Sequence, residues 1–353
     1  MDIARTFAIL GMLAVHVGPT DQTGLVGRLY AAPHGRASLL FVLLAGVGVA
    51  LLAGSERLTF AGIRRRLAWR AALLLPAGLA LQELDHGANV ILQDYALFFV
   101  LAILAIELPS RWLLRLAVTF AAAGPIAYFL GRAAMPAMFE RAPTTWSDPS
   151  LTTAQGLVVS GPYPLITWAA PLLFGMWLGR RDLGSARLRR QMVLFGSAVG
   201  LGAFLLARLL VAVVGPPRSL GDPRWLFTSA AHGQMPLWLV GGTAVAVAVL
   251  GAALIAGDRA RSLTWPLTAT GQLALTVYVG HLLVLHAAQQ VVTSQQLSRA
   301  IVILAGFTVA ILLLATLWRR YFARGPLEQV LHATWLDPAP SRAAVRRSAA
   351  DHA

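Results

Sequence analysis

Apolar residues fall in long runs, and the chain lacks both the strict alternation of half-buried strands and any heptad repeat. A bilayer crossing takes about 20 such residues. Ten segments have that character: about 4–19, 37–54, 67–83, 90–107, 111–131, 164–180, 192–214, 236–256, 268–291 and 299–318. Gly46, Gly48, Pro76, Pro171, Gly200 and Gly202 lie inside these runs, where close helix approach accommodates them. The pattern predicts an all-α, polytopic integral membrane protein, with about ten transmembrane helices in one bundle. Met1–Gly18 has the length of a secretory leader. No small-x-small site follows His16-Val17-Gly18-Pro19, so it reads as a retained first span. Leu151–Ser160 reads as a short interfacial helix. Residues 336–353 read as a disordered basic tail, which leaves one domain over 1–335.

The polar connections alternate in character. Arg57, Arg64, Arg65 and Arg66 lie between the second and third runs. Arg111 and Arg115, then Arg180, Arg181, Arg187, Arg189 and Arg190, then Arg259 and Arg261, and finally Arg319, Arg320 and Arg324 occupy every second connection after that. Positive loops stay in the cytoplasm, so both termini are expected there, in a multi-pass plasma-membrane protein. The other connections carry only scattered Arg28, Arg36, Arg132, Arg141, Arg218, Arg224 and Arg299. Two of these outer connections, about 132–163 and 215–235, are long and rich in Pro and Trp, which suggests a lid or an acceptor-binding role.

Composition sharpens this picture. Of 353 residues, 57% are hydrophobic and 12% charged, with mean hydropathy +0.67. A soluble domain carries about a quarter charged residues. The formal net charge is +14, and every one of the 29 basic residues is Arg. Lys nucleophiles and Schiff bases are therefore excluded. With no Cys, so are thiol catalysis, thiolate metal sites and disulfides. Topology accounts for the basic excess, so neither a nucleic-acid partner nor a metal is expected.

The histidines are placed asymmetrically. His16, His34, His86, His232, His281 and His286 all fall toward the outer face, and only His332 and His352 lie in the C-terminal region. Histidine moves protons near neutral pH, so the group suggests proton transfer at the outer surface. His34, in Pro33-His34-Gly35-Arg36-Ala37-Ser38, is the sharpest candidate for a general base, with Arg36 beside it and His16 on the same side. His281 and His286 lie about 140° apart around their helix. They cannot both face one point, and His281 is expected to face inward. Asp94 and Arg208 interrupt apolar runs at similar depth, where ionisable groups mark a functional interior. They could pair, either to fix helix packing or to orient an acceptor. Gln93, Ser38 and Tyr95 are candidates for stabilising an oxyanion.

Six stretches, taken in order, resemble one family. Asp2-Ile3-Ala4-Arg5-Thr6-Phe7-Ala8-Ile9-Leu10-Gly11-Met12 is similar to the D-x-x-R-G-x-A-I-L-G-M opening of bacterial YeiB-like membrane proteins, which are related to the heparan-alpha-glucosaminide N-acetyltransferase catalytic domain. Gly35-Arg36 leading to Leu40-Phe41 and Gly46-Val47-Gly48 resembles their second span. Ile91-Leu92-Gln93-Asp94-Tyr95-Ala96-Leu97 resembles their I-L-x-x-Y-A-L element. Tyr163-Pro164-Leu165 through Gly175-Met176 to Gly179-Arg180 is similar to their sixth span. Gly271-Gln272-Leu273-Ala274-Leu275-Thr276-Val277-Tyr278 resembles their ninth, and Tyr321-Phe322-Ala323-Arg324-Gly325-Pro326-Leu327-Glu328 their C-terminal signature.

The resemblance implies a transmembrane acyltransferase that takes acetyl from cytoplasmic acetyl-CoA and delivers it to an extracytoplasmic sugar or glycoconjugate hydroxyl or amine. On that expectation His34, Asp94 and His281 are catalytic. Arg36, His16, Arg208, Gln93 and Tyr95 contact the acceptor. Arg5, Arg64, Arg65, Arg66, Arg180 and Arg181 hold the phosphates of the donor, which guanidinium geometry suits. Membrane lipid is the surrounding partner, and a homodimer is left open. The alternative is a proton-coupled transporter or exporter of a small molecule or lipid intermediate, with Asp94, Arg208 and the histidines as relay. No inverted repeat supports it. A non-catalytic membrane interaction protein is the third possibility.

Overall fold

Lipid offers a peptide group no hydrogen-bond partner, so apolar runs of this length close their backbone bonds internally as helices. The computed structural model describes residues 1–55, 58–139 and 143–332. Arg57, Arg141 and the 336–353 tail lie outside the described residues. Among the described residues there is no strand. In order come α1 (Asp2–Val17), α2 (Gly24–Ala31), α3 (Arg36–Ala53), α4 (Phe60–Gln82), α5 (Leu92–Ala105), α6 (Ser110–Ala134) and α7 (Ser150–Gln155), the last continued by a π-helical turn at Gly156–Ser160. After these follow α8 (Leu165–Gly179), α9 (Ala186–Val214), α10 (Pro236–Arg259), α11 (Trp265–Gln272), α12 (Ala274–Val292), α13 (Leu297–Tyr321) and α14 (Pro326–His332).

Among the described residues six helices are long and apolar enough to cross a membrane: α3, α6, α9, α10, α12 and α13. A seventh crossing arises if Ser150–Ser160 and α8, bent by 58°, count as one. The molecule is therefore a multi-pass helical membrane protein. Each of the ten apolar segments contains helix, but α1 and α5 are short, and Arg64, Arg65, Arg66 and Arg70 interrupt α4.

Small residues set the packing. Gly46 of α3 and Gly175 of α8 face each other so closely that a Cβ on either would strike the partner's backbone. This is the close approach that small residues give membrane helices. The stripe Gly196, Gly200, Ala203 and Ala207 buries α9 against α10 and leaves the rest of α9 facing outward.

The ninth expected span, 268–291, is not one helix. It breaks at Leu273. Thr6 Oγ1 donates to the Leu267 carbonyl, and Gly271 packs on the Asp2 backbone. Thus α11 runs antiparallel to the first turn of α1, and only α12 crosses. Glu328 holds the break: its Oε1 accepts from the Leu275 and Thr276 amides at 2.8 and 3.0 Å, and its Oε2 from Thr276 Oγ1 at 2.6 Å. A carboxylate there satisfies the free amides of a helix N-terminus and its partial positive charge.

The two ends of the bundle differ chemically. One gathers Asp2–Arg5, Arg64–Glu107, Arg189–Asp258 and the Arg319–Gln272 hydrogen bond. The other gathers His16 with His281, Tyr163 with Asn89, Glu83 with Ser147, and Arg132 over the Trp225 ring. These are called below the arginine end and the histidine end.

Candidate functional site

A cavity of about 350 Å³ lies among α1, α3, α4, α5, α11, α12 and α14. Its walls are mostly apolar: Phe41, Leu44, Val49, Leu52, Leu74 and Phe99. Its polar groups are segregated. Toward the arginine end are Arg5, Arg70, Gln272 and Glu328, and toward the histidine end Tyr95 and Tyr278.

The arginine end of this cavity has a surplus of positive charge. Arg5 Nη1 donates to Asp2 Oδ1 at 2.6 Å. Gln272 Nε2 reaches Asp2 Oδ2 at 3.4 Å, and Arg319 Nε donates to Gln272 Oε1 at 2.8 Å. Among the described residues Arg70 has no such partner: its Nε is buried without a hydrogen bond, and its electrostatic neighbours are Arg5 and Arg66. Glu328 is engaged in capping α12. A guanidinium left this way favours an incoming anion.

Only Arg5 of the expected donor-binding arginines lines the cavity. Arg180 instead donates to the Ile106 and Leu108 carbonyls at 2.7 and 2.5 Å and closes the C-terminus of α5. Arg181 lies over the Trp177 ring, 4.6 Å from its centroid, and Arg64 pairs with Glu107 at 3.3 Å. Arg65 is exposed. Arg66 lies near Arg70 without lining the cavity. Arg70 interrupts the apolar run 67–83 and so carried the same sequence signal as Asp94 and Arg208.

At the other end, Tyr278 leads from the cavity to the histidines. Its hydroxyl accepts from the Ile91 amide at 3.2 Å, and its ring meets His281 edge-on, 5.2 Å between centroids. His281 is buried and its Nε2 lies 3.1 Å from His16 Nδ1, with the two rings stacked 7° from parallel. His281 Nδ1 is buried without a hydrogen-bond partner among the described residues. His286 is on the exposed face of α12, beside the Asp85 carbonyl. His281 thus faces inward.

A second histidine pair is walled by aromatics. The His34 and His232 centroids are 5.5 Å apart, and Tyr163, Trp168 and Trp238 lie 5.4, 6.1 and 5.9 Å from His232. Gly35 allows this closeness: its φ is 71°, and a Cβ there would come within 3.0 Å of the Trp238 ring. His232 and Gln234 are themselves in the left-handed region, at φ 52° and 61°. Non-glycine residues pay for that conformation. Gln234 is pinned by accepting from Thr167 Oγ1 and Trp168 Nε1 and donating to the Pro162 carbonyl. Burial, and secondarily the Arg36 charge, lower the His34 pKa below its usual value. Arg36 Nη1 donates to the Ala32 carbonyl. His86 is buried in a loop-fixing role, bonded to the Leu81 carbonyl and the Ala88 amide. His34, His86, His232 and His281 all lie within electrostatic reach of His16.

The structure does not join Asp94 to Arg208. Asp94 is 2% exposed, with Oδ1 unpartnered, in the first turn of α5. Arg208 is exposed on α9. It follows Ala207 of the buried stripe and so points about 100° off the contact face. Gln93 packs against Gly78, and Tyr95 lines the cavity. No sequence signal distinguished Gln234 or the aromatic wall.

No curated protein matches the chain. Residues 178–337, from the end of α8 onward, match the model of a family described as a protein of unknown function, DUF418, the YeiB-like family.

Proposed function

We infer that this protein is a transmembrane acyltransferase working between a cytoplasmic acyl-CoA and an acceptor on the far side. The arginine end is cytoplasmic, ten helices form the bundle, and both termini lie inside. One observation carries the inference. A single cavity has an uncompensated guanidinium, Arg70, at one end, and at the other a tyrosine in contact with a hydrogen-bonded imidazole pair. The donor fits in parts: about 350 Å³ of mostly apolar space suits an acylated pantetheine arm. The phosphates stay at the mouth, on Arg70 and Arg5 with Arg66 nearby. The remaining arginines of that face, Arg64, Arg65, Arg180 and Arg181, serve topology and packing.

The imidazole pair offers a base. With the His281 proton on Nδ1, Nε2 is the lone pair. His16 Nδ1 must donate to it, which leaves His16 Nε2 as the free lone pair. His16 is therefore the base and His281 the residue that fixes its tautomer, with His34 and His232 contacting the acceptor. The acceptor's O–H or N–H proton passes to His16 as its heteroatom bonds the acyl carbon. The C–S bond breaks, and the proton ends on the CoA thiol. A general base contributes about 10²–10⁴-fold. Purified, reconstituted protein should bind acetyl-CoA and consume it. His16→Ala should lose turnover by about that factor while retaining binding. Unchanged turnover in His16→Ala refutes the assignment, and failure to bind acetyl-CoA refutes the function.

A further inference from the structure

A second hollow, about 340 Å³, opens sideways between α6, α8, α9 and α10. Ala121, Ala170, Phe174, Phe195, Val199 and Thr243 line it, and Thr243 alone among them has a polar side-chain atom. These residues lie well inside helices that cross the membrane. The medium beside the groove is therefore hydrocarbon.

Leu239 and Val240 form part of its wall on α10, directly after Trp238, and Ala170 forms part on α8, two residues after Trp168. Trp168 and Trp238 are the aromatic wall around His232 and His34, their own centroids 5.7 Å apart. On both α8 and α10 the lining of the groove thus begins within two positions of the aromatic wall at the histidine end. There Trp238 Nε1 is buried, in a side chain 2% exposed, and finds no acceptor among the described residues. Such a donor is costly unless a ligand oxygen completes it. At the same end α2 displays Leu25, Val26 and Leu29, 74, 60 and 65% exposed. Apolar residues at that level suit a site bordering the outer leaflet.

We propose that the acyl acceptor is lipid-linked. Its hydrocarbon chain lies in the α6–α8–α9–α10 groove, and its polar headgroup sits against Trp168, Trp238, His232 and His34, with a headgroup oxygen accepting from Trp238 Nε1. This rests on the acyl-transfer function above and specifies its acceptor class. The headgroup hydroxyl or amine attacks the thioester, the acyl C–S bond breaks, and the proton lost by the headgroup finishes on the CoA thiol. A chain held laterally needs no aqueous route across the protein. The lateral opening also explains why α9 is packed on α10 and away from the rest of the bundle's centre.

The test uses the full chain in nanodiscs made from a total bacterial lipid extract, supplied with acetyl-labelled acetyl-CoA and a soluble hexosamine, followed by organic–aqueous partition. Label is expected in the organic phase. Ala121→Trp and Thr243→Trp, which fill the groove from opposite walls, should each lower that transfer about tenfold or more with acetyl-CoA binding unchanged. Val309→Trp, on the 55% exposed face of α13, should leave it unchanged. Label confined to the aqueous hexosamine, or lipid labelling that neither groove variant reduces, overturns the lipid-linked acceptor alone. Absence of acetyl-CoA binding overturns the acyl-transfer function and this inference with it.

Discussion

Replacing Arg70 by Met separates a ligand-binding arginine from a structural one, because the two roles predict opposite signs. Arg70 has a buried Nε without a partner and lies in electrostatic reach of Arg5 and Arg66. In the empty protein it is therefore a cost. Methionine keeps much of the side-chain length and removes the charge. A charge kept from water without a partner is a net cost that an apolar side chain of similar length removes, and the gain is small where the side chain is only half-buried. Thermal unfolding of Arg70→Met without ligand should thus occur at an unchanged or higher temperature. Binding should move the other way. A hydrogen bond to a charged group contributes about 1.5–3 kcal/mol net, which is roughly a 10- to 100-fold weaker Kd for acetyl-CoA. The wild-type affinity should fall with added salt more steeply than that of the variant. Calorimetric titration in detergent, beside a melting curve on the same samples, reads both quantities. A variant that melts lower and binds equally well would show that Arg70 serves packing, and the donor site would have to lie elsewhere.

Three further outcomes follow from single contacts. Glu328→Gln keeps the shape but removes the charge from the start of α12, and should cost about 1 kcal/mol, read as earlier unfolding and faster exchange of the Leu275 and Thr276 amides. Gly35→Ala meets both a left-handed φ of 71° and the Trp238 ring. It should cost about 1–2 kcal/mol and change Trp fluorescence, whereas an unaltered spectrum and melt would mean that the His34 turn is free to relax. Glu83 Oε1 accepts from Ser147 Oγ and the Ser147 amide, both at 2.7 Å, which holds its carboxyl below the usual range. A depressed carboxyl contributes stability above its unfolded value, about 4.3, and loses it as pH falls through the folded one. Hydrogen exchange in 143–149 should therefore quicken under acid, and at neutral pH in Glu83→Gln. Equal protection in Glu83→Gln and wild type at neutral pH would dismiss this tether.

The helices were readable because lipid imposes one rule on every apolar run. The break at Leu273 was not. Gln272-Leu273-Ala274 contains no Gly or Pro, and the group that stabilises the new N-terminus, Glu328, comes more than fifty residues later. Helix phase did carry information about Arg208. The stripe from Gly196 to Ala207 already places its neighbour off the contact face, so its separation from Asp94 is a matter of periodicity. That the histidines share one end of the bundle was equally legible from loop charge. Their pairing was not, since His16 and His281 are 265 positions apart and no local pattern records that they meet. His232 and Gln234 adopt a backbone that their residue types disfavour. Only the tertiary partners of Gln234, at Thr167, Trp168 and Pro162, impose it.

The division of guanidinium and imidazole between the two ends follows from what each group can do in a medium that solvates charge poorly. Arginine cannot shed its proton in a protein, so an unpaired one is tolerable only where an anion arrives to meet it. That confines Arg70 to the mouth of the cavity. Imidazole is neutral for most of the time at pH 7. Histidines can therefore be gathered within mutual reach, as His34, His86, His232 and His281 are around His16, provided most stay uncharged. A neutral cluster of this kind can take up one proton and resists a second, because each added charge repels the next. That capacity suits a reaction that releases a single proton from the acceptor on each turnover. It suits less well a relay that must carry protons in succession. If the histidine end were such a relay, replacing His86, bonded to the Leu81 carbonyl at the rim of the cluster, by Gln would slow pH-gradient-driven flux in proteoliposomes. Acyl transfer predicts no flux to slow and, with loop geometry preserved by the amide, turnover of acetyl-CoA close to that of wild type.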